Sequence, residues 1–430
     1  MKKIVLPLCF LCATSFCKAQ SLSNIEQKIV DYINQHLPQT QQLLITSVNI
    51  NSGTLNIEGV KKVGAIYSAE LEKAGLKSEW VTLPDNLHRA GHLVATKKGT
   101  KGKRIFLIGH LDTVFEPDMP SNPWKVLNDS TATGQGVNDM KGGDVVIIAA
   151  LQALNSLGLL NDASITAYFT GDEEKAGSPV SVSRKDFIER AKQCDIALGF
   201  ETAVGLNTVA TARRGASGWK LQVTAKTGHS SGVFSSGSGY GAIYEAARIL
   251  DAFRVQLSTE KYLTFNPGLI VGGSDVNYDE VKAKGEAIGK TNIISPSVTV
   301  TGDLRFLTEA QKLAARDKMR AIVATSLNGT KSAITFTDGI PSMAPTDGNN
   351  RVLKVIDSVS LGIGIGNAVA GDPGSRGAGD ISYVAQYLDC IDGLGASGKG
   401  AHAPGETLNL KEFPLLIQRA ALLIYRLTHE

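Results

Sequence analysis

The side chains best suited to chemistry in this sequence are two histidines and a small set of carboxylates, placed where apolar runs stop. The run Arg104-Ile105-Phe106-Leu107-Ile108-Gly109 leads into His110-Leu111-Asp112. In an extended chain positions two apart share a side, so His110 and Asp112 point the same way. Asp112 can then hold one imidazole nitrogen while the other faces a metal. Asp139 follows a glycine-rich stretch and precedes a very apolar segment, a setting that suits a helix N-cap as well as a ligand. A second apolar run ends in Asp172-Glu173-Glu174, a third in Glu201, and His402 lies in the glycine-rich loop 398–404. Each alone has a plain explanation: a capped helix, solvated acids, a loop histidine without a task. Together, two imidazoles and three carboxylates are about what a pair of Zn²⁺ ions requires, with one carboxylate bridging. One more carboxylate is left to handle the proton of a water.

These residues need elements to position them. Residues 21–209 alternate between helical and extended patterns: helices over 25–36 and 60–74, strands over 78–82, 92–96, 104–109, 164–170 and 196–200. Segment 141–157 is apolar on nearly every side (Val145, Val146, Ile147, Ile148, Leu151, Leu154), as in a helix buried against a sheet. The alternation predicts an α/β sandwich with a mostly parallel sheet. Sheets of that kind bind ligands beyond the carboxyl ends of their strands, where these acids lie. From residue 215 the order becomes strand 218–227, helix 242–253, strands 263–272 and 297–306, helix 309–326 and strand 333–337. That βαββαβ order is ferredoxin-like and forms a small domain by itself. Helices over 351–361 and 410–427 can return to the first domain. The expected organisation is a signal peptide at 1–19, a discontinuous catalytic domain at 20–214 and 336–430, and an inserted domain at 215–335.

A chain of 430 residues is too long for one ordinary core, and 43% hydrophobic with 20% charged residues excludes general disorder. The formal charge of +3 comes from Lys2, Lys3 and Lys18, since the first 19 residues hold no acid. The remainder is neutral and advertises no basic face for nucleic acid or a membrane surface. The opening segment has a charged start, an apolar run over 4–16 and the small residues Cys17 and Ala19. This is the pattern of a secretory signal cut after Ala19, too short to span a bilayer. The protein is therefore expected to be exported, periplasmic or secreted, with no membrane anchor after cleavage. Three of the five cysteines leave with the signal, and Cys194 and Cys390 alone make no disulfide framework.

The segments GHLDTV (109–114), GVNDMKGG (136–143), GDEE (171–174), GFETA (199–203) and GKGAHAPGE (398–406) resemble the M20 metallopeptidases, within them the glutamate carboxypeptidase (carboxypeptidase G2-like) branch. The resemblance covers nearly all of the chain after the signal. It implies a zinc-peptidase-like α/β/α sandwich catalytic domain with an inserted ferredoxin-like dimerisation domain. It also implies two Zn²⁺ per chain, with Co²⁺ or Mn²⁺ able to substitute. Asp139 would bridge them, His110 and Glu201 completing one site, Glu174 and His402 the other. Glu173 matches the general base, Asp112 the residue that orients His110, and a cis peptide is implied between Asp139 and Met140. His229 matches a histidine that reaches the partner subunit's active site, which makes a homodimer necessary. Asn292 and Arg305 match substrate contacts, Arg305 offering its planar fork to a free carboxylate. Glutamate at position 201 goes with carboxypeptidases and deacylases, aspartate with aminopeptidases and dipeptidases. The implied activity is release of a C-terminal amino acid, glutamate in that branch, from a small peptide or N-acyl amino acid. The alternatives are an N-acyl-amino-acid deacylase using the same site and a catalytically silent dimer that binds peptide or metal. Two stretches depart from the family pattern near the substrate pocket: the Ser/Gly-rich segment 230–241, and 377–382, where a Gly-Thr-Asp-Ala-like run is expected. Arg213 and Arg214 fall at the domain junction, where two readings stand, binding of substrate and solvation of the hinge, the hinge being the favoured one.

Overall fold

In the strand Lys101–His110, Ile105 and Leu107 enter the larger hydrophobic core, while Phe106 and Ile108 enter a second core on the opposite face. That two-residue alternation between apolar partners marks a sheet covered on both sides. The computed structural model describes residues 22–429, so the expected signal segment 1–19 lies outside the described residues. The strand belongs to a six-stranded sheet ordered Lys77–Val81, His92–Lys97, Ala163–Thr170, Lys101–His110, Ile196–Gly199, Asp389–Ile391. The last four run parallel, and the first two form an antiparallel edge. His110, the 171–174 loop and Glu201 therefore leave neighbouring parallel strands at one carboxyl edge.

Helix Lys141–Ser156 is buried along almost its whole length and packs in one core with helices Asn24–Val48, Ile57–Lys73 and Phe413–His429. On the other face, helix Lys185–Ala191 sets Phe187 edge-on against Phe106 and Tyr168, each with ring centroids 5.1 Å apart. The first helix runs on to Val48 through Pro38, past the expected end at residue 36. Proline withholds one backbone donor, and the buried Leu44, Ser47 and Val48 hold the helix beyond it. A second small sheet, Gly398–Lys399, Thr407–Asn409, Thr131–Thr133 and Lys125–Asn128, was not expected; it carries the loop of His402.

Between these parts lies a four-stranded antiparallel sheet ordered Thr264–Gly273, Ser297–Phe306, Gly215–Ala225, Thr330–Asp338. Helices Ala242–Leu257 and Glu309–Ala324 cover it through a separate core that includes Trp219, Leu221, Phe253, Val300 and Met319. The order is ferredoxin-like, with an additional hairpin, Asp275–Asp279 and Lys284–Ile288, between its second and third strands. The fold is thus an α/β sandwich with an inserted ferredoxin-like domain. Cys194 and Cys390 are both buried and free. Among the described residues, no helix is long and apolar enough to cross a membrane.

The loop that carries Glu173 and Glu174 is fixed from behind by Arg184, which is 1% exposed. Its guanidinium donates to Asp172 Oδ1 at 2.5 Å and to Asp380 Oδ1 at 2.8 Å. Ser183 Oγ and the Gly177 N–H donate to Asp172 Oδ2 at 2.7 and 2.8 Å, and Thr170 Oγ1 donates to Asp380 Oδ2 at 2.7 Å. Burial opposes ionisation of Asp172, yet the charges of Arg184 and His92 hold its carboxyl below the ordinary range. Removing the guanidinium would leave two carboxylates inside the protein without their counter-charge. Arg184→Ala is expected to lower stability by about 3–5 kcal/mol. Urea unfolding reads this as a lower midpoint, and a midpoint equal to that of the unaltered chain would contradict it.

Candidate metal centre

Asp139 sits in the turn that opens helix Lys141–Ser156, and its peptide bond to Met140 is cis. Its two carboxylate oxygens face different imidazoles. Oδ1 lies 3.3 Å from His110 Nε2, and Oδ2 lies 3.1 Å from His402 Nε2. Glu201 Oε1 stands 3.9 Å from His110 Nε2, and Glu174 Oε2 stands 3.2 Å from His402 Nε2. The result is two triads, His110–Asp139–Glu201 and Asp139–Glu174–His402, each with candidate ligand atoms within 4.8 Å of one another. Asp139 belongs to both.

The electrostatics show what the cluster lacks. Burial alone would strip the proton from His110, but its hydrogen bond to Asp139 and the charges of Glu201 and Glu173 raise its pKa well above the ordinary value. His402, whose side chain is 60% exposed, is pushed up to about 11 by its hydrogen bonds to Asp139 and Glu174. Burial and the neighbouring charge of Asp139 push Glu201 up to about 8. Against the pull of burial, the two imidazoles hold Asp139 well below the usual carboxylate range. Glu174 Oε1 is buried with no hydrogen-bond partner among the described residues. Crowded carboxylates, imidazoles that hold on to protons and an orphaned oxygen all call for positive charge. This donor set of imidazole nitrogens and carboxylate oxygens fits divalent cations of the zinc type.

Asp112 acts somewhat differently from the sequence expectation. His110 Nδ1 is 3.0 Å from the main-chain carbonyl of Asp112 and 3.6 Å from its carboxylate, so the carbonyl is the closer partner of the ring. The carboxylate accepts Thr54 Oγ1 at 2.6 Å and the N–H groups of Glu173 and Glu174 at 3.0 and 3.1 Å. It thereby braces the acidic loop against the His110 strand. Glu173 belongs to neither triad. Burial, then the charge of Glu201, raises its carboxyl well above the ordinary range.

The inserted domain separates the remaining predicted residues. His229 and Asn292 are exposed neighbours: the Ser230 N–H donates to the Asn292 carbonyl at 2.9 Å, and His229 Nδ1 lies 2.8 Å from Ser231 Oγ. Arg305 lies at the other end of strand Ser297–Phe306, opposite Ala216, with its Nε donating to Asp303 Oδ2 at 2.9 Å. The eight residue steps of strand from Ser297 to Arg305 span roughly 26 Å. Among the described residues, no hydrogen bond or ion pair joins these three to the triads. Arg213, expected at a solvated hinge, is instead buried and ion-paired with Asp392, and it donates to the carbonyls of Gly377 and Ala378 at 2.8 and 3.0 Å. Arg214 does link the two parts, through the Gly374 carbonyl at 3.1 Å and Thr264 Oγ1 at 3.2 Å.

Sequence reasoning missed Arg184, Glu406 and Arg376. Arg376 donates to the Thr202 carbonyl, beside Glu201, and lies against Gly393, where a Cβ would come within 2.9 Å of its guanidinium. No motif marks Arg184 or Arg376. Glu406 does lie at the end of the quoted His402 segment, which was the available signal.

Residues 106–426 match peptidase family M20/M25/M40. Carboxypeptidase G2 of Pseudomonas sp. (strain RS-16) is 27% identical over 424 residues, covering 96% of this chain and 95% of that protein. Succinyl-diaminopimelate desuccinylase of Psychrobacter arcticus is 24% identical over 316 residues, 70% of this chain and 74% of the other. Among solved structures, aminopeptidase PepT of Bacillus cereus has the same fold with a TM-score of 0.73 at 18% identity, covering 90% of this chain and 98% of that one. The chain belongs to peptidase family M20/M25/M40, and it is a metallohydrolase of that family.

Proposed function

We propose that this chain is an exported di-zinc hydrolase that releases a C-terminal amino acid from a small peptide or N-acyl amino acid. The observation that carries the reading is the division of Asp139: one oxygen faces the His110 and Glu201 side, the other the His402 and Glu174 side. Zinc ions, when bound, would supply Lewis acidity towards an amide carbonyl and a water of lowered pKa. Glu173 has no ligand duty, which leaves its carboxylate free to take a proton from the attacking water and return it to the leaving amine. Asp112 holds the main chain of Glu173 and Glu174 in place while this happens.

Two arginines could receive the free carboxylate of such a substrate. Arg305 is half-exposed near the junction, and Arg376 borders Glu201. Deacylation of an N-acyl amino acid is the second reading, favoured by the likeness to a desuccinylase, and it uses the same carbonyl chemistry. The signal-like opening supports export. A homodimer follows if His229 serves a partner's site; among the described residues its side-chain hydrogen bonds are local, to Ser231, and none reaches its own chain's triads. Exposed Phe234, Ile243, Tyr244 and Ile270 on the inserted domain provide apolar surface that a second copy would cover.

Glu173→Ala is expected to retain both metal ions by elemental analysis while turnover falls by about 10²–10⁴-fold or more; a variant that still hydrolysed substrate would remove Glu173 as the base. Mixing inactive Glu173→Ala and His229→Ala chains is expected to restore about a quarter of normal activity, because half of the two-fold dimers are mixed and each has one intact site. Activity that stayed at zero on mixing would place His229 in its own chain's site. Finally, a screen of N-acyl amino acids and dipeptides should give cleavage only when the C-terminal carboxylate is free. Equal cleavage of free and blocked compounds would refute the carboxypeptidase reading and the arginine clamp together.

A further inference from the structure

Glu406 ends the loop that carries His402, yet its side chain is 0% exposed. Oε1 accepts the main-chain N–H groups of Asn138 at 2.6 Å and Asp139 at 2.7 Å, and Oε2 accepts that of Gly136 at 3.1 Å. Its own carbonyl accepts Thr133 Oγ1 at 2.6 Å and the Gly134 N–H at 3.4 Å. Among the described residues it forms no ion pair. The ammonium of buried Lys141 is committed to the carbonyls of Ser47 and Ile50, at 3.0 and 2.8 Å. A wholly buried carboxylate is thus satisfied by the N–H groups of one turn, and that turn ends in Asp139. Three main-chain donors converge on this one side chain, so the contact holds the turn at Gly136, Asn138 and Asp139 at once. The far side of the contact is equally specific. His402 has a left-handed φ of 67°, between Gly400 at 74° and Gly405 at 99°, so the loop doubles back tightly just before Glu406.

We propose that Glu406 is a positioning residue of the metal centre. It presets the backbone of the bridging Asp139 and ties it to the His402 loop, so that the shared carboxylate and the second imidazole are held at working separation. The inference rests on the two-cation reading above, and the test keeps the two apart. Cobalt(II) is titrated into the metal-free full chain, following visible absorption and competition with a chelator. Glu406→Gln replaces one acceptor oxygen with an NH₂ donor facing backbone donors. It should weaken cobalt binding by about 10–100-fold and alter the visible spectrum, with kcat falling more than KM rises. Glu406→Asp keeps the charge but withdraws it from the turn, and serves if the glutamine variant does not fold; its affinity should fall in the same direction. Val359→Ala, in the distant helix Asp347–Gly362, controls for stability and should leave cobalt affinity and spectrum unchanged. An unaltered chain that binds fewer than two cobalt ions overturns the two-cation reading. An unaltered chain that binds two, beside Glu406 variants of equal affinity and spectrum, overturns the role of Glu406 alone.

Discussion

One carboxylate divided between two imidazoles sets the geometry on which everything else in this molecule depends. Asp139 must present one oxygen to His110 and the other to His402, from a turn whose N–H groups donate to the buried Glu406. The rest of the catalytic domain can be understood as the means of holding that position. Parallel strands bring His110, the acidic loop and Glu201 to one edge. The buried helix Lys141–Ser156 anchors the turn from below, and the small sheet around Thr407–Asn409 returns His402 from almost three hundred residues away. Concentrating so much negative charge is unfavourable without cations. Buried Arg184 pairs with Asp172 and Asp380, and Arg213 with Asp392, which leaves Asp139, Glu174 and Glu201 to the two imidazoles.

The inserted domain obeys a different constraint. It has its own core and sheet, and its functional candidates lie at opposite ends of one strand. Arg305 stays near the junction with the catalytic domain, whereas His229 and Asn292 lie beyond the opposite end of the sheet, by the bridge between His229 and Ile293. A rigid four-stranded sheet cannot bring both ends to one site within a chain. Two copies related by a two-fold axis can, which is the physical reason the dimer and the chemistry belong to one proposal.

Much of this was legible in the sequence because apolar periodicity and abrupt run endings are local signals. The helix over 141–156, the strands ending at His110 and Thr170, and the βαββαβ order all follow from them. The hairpin Asp275–Asp279 and Lys284–Ile288 escaped notice because each arm is only five residues long; Asp-Val-Asn-Tyr-Asp does alternate, but Lys-Gly-Glu-Ala-Ile offers no matching apolar face. Helix Asn24–Val48 was read short because Pro38 is a local breaker signal that tertiary packing overrides. Asp172 looked like a solvated acid, since nothing in Asp-Glu-Glu distinguishes the member that meets a buried arginine twelve residues later. The pairing of Asp112 with backbone N–H groups, and that of Glu406 with Gly136, Asn138 and Asp139, are likewise tertiary facts. Residue type and spacing do not specify those pairings, although Glu406 does end the His402 segment.

The most direct test of the shared carboxylate is anomalous diffraction at the zinc edge from crystals grown with zinc. The account predicts two separate peaks in each chain, one on the His110 and Glu201 side of Asp139 and one on the His402 and Glu174 side, with a different Asp139 oxygen next to each. A single peak, or peaks that leave Asp139 outside both coordination shells, would contradict it.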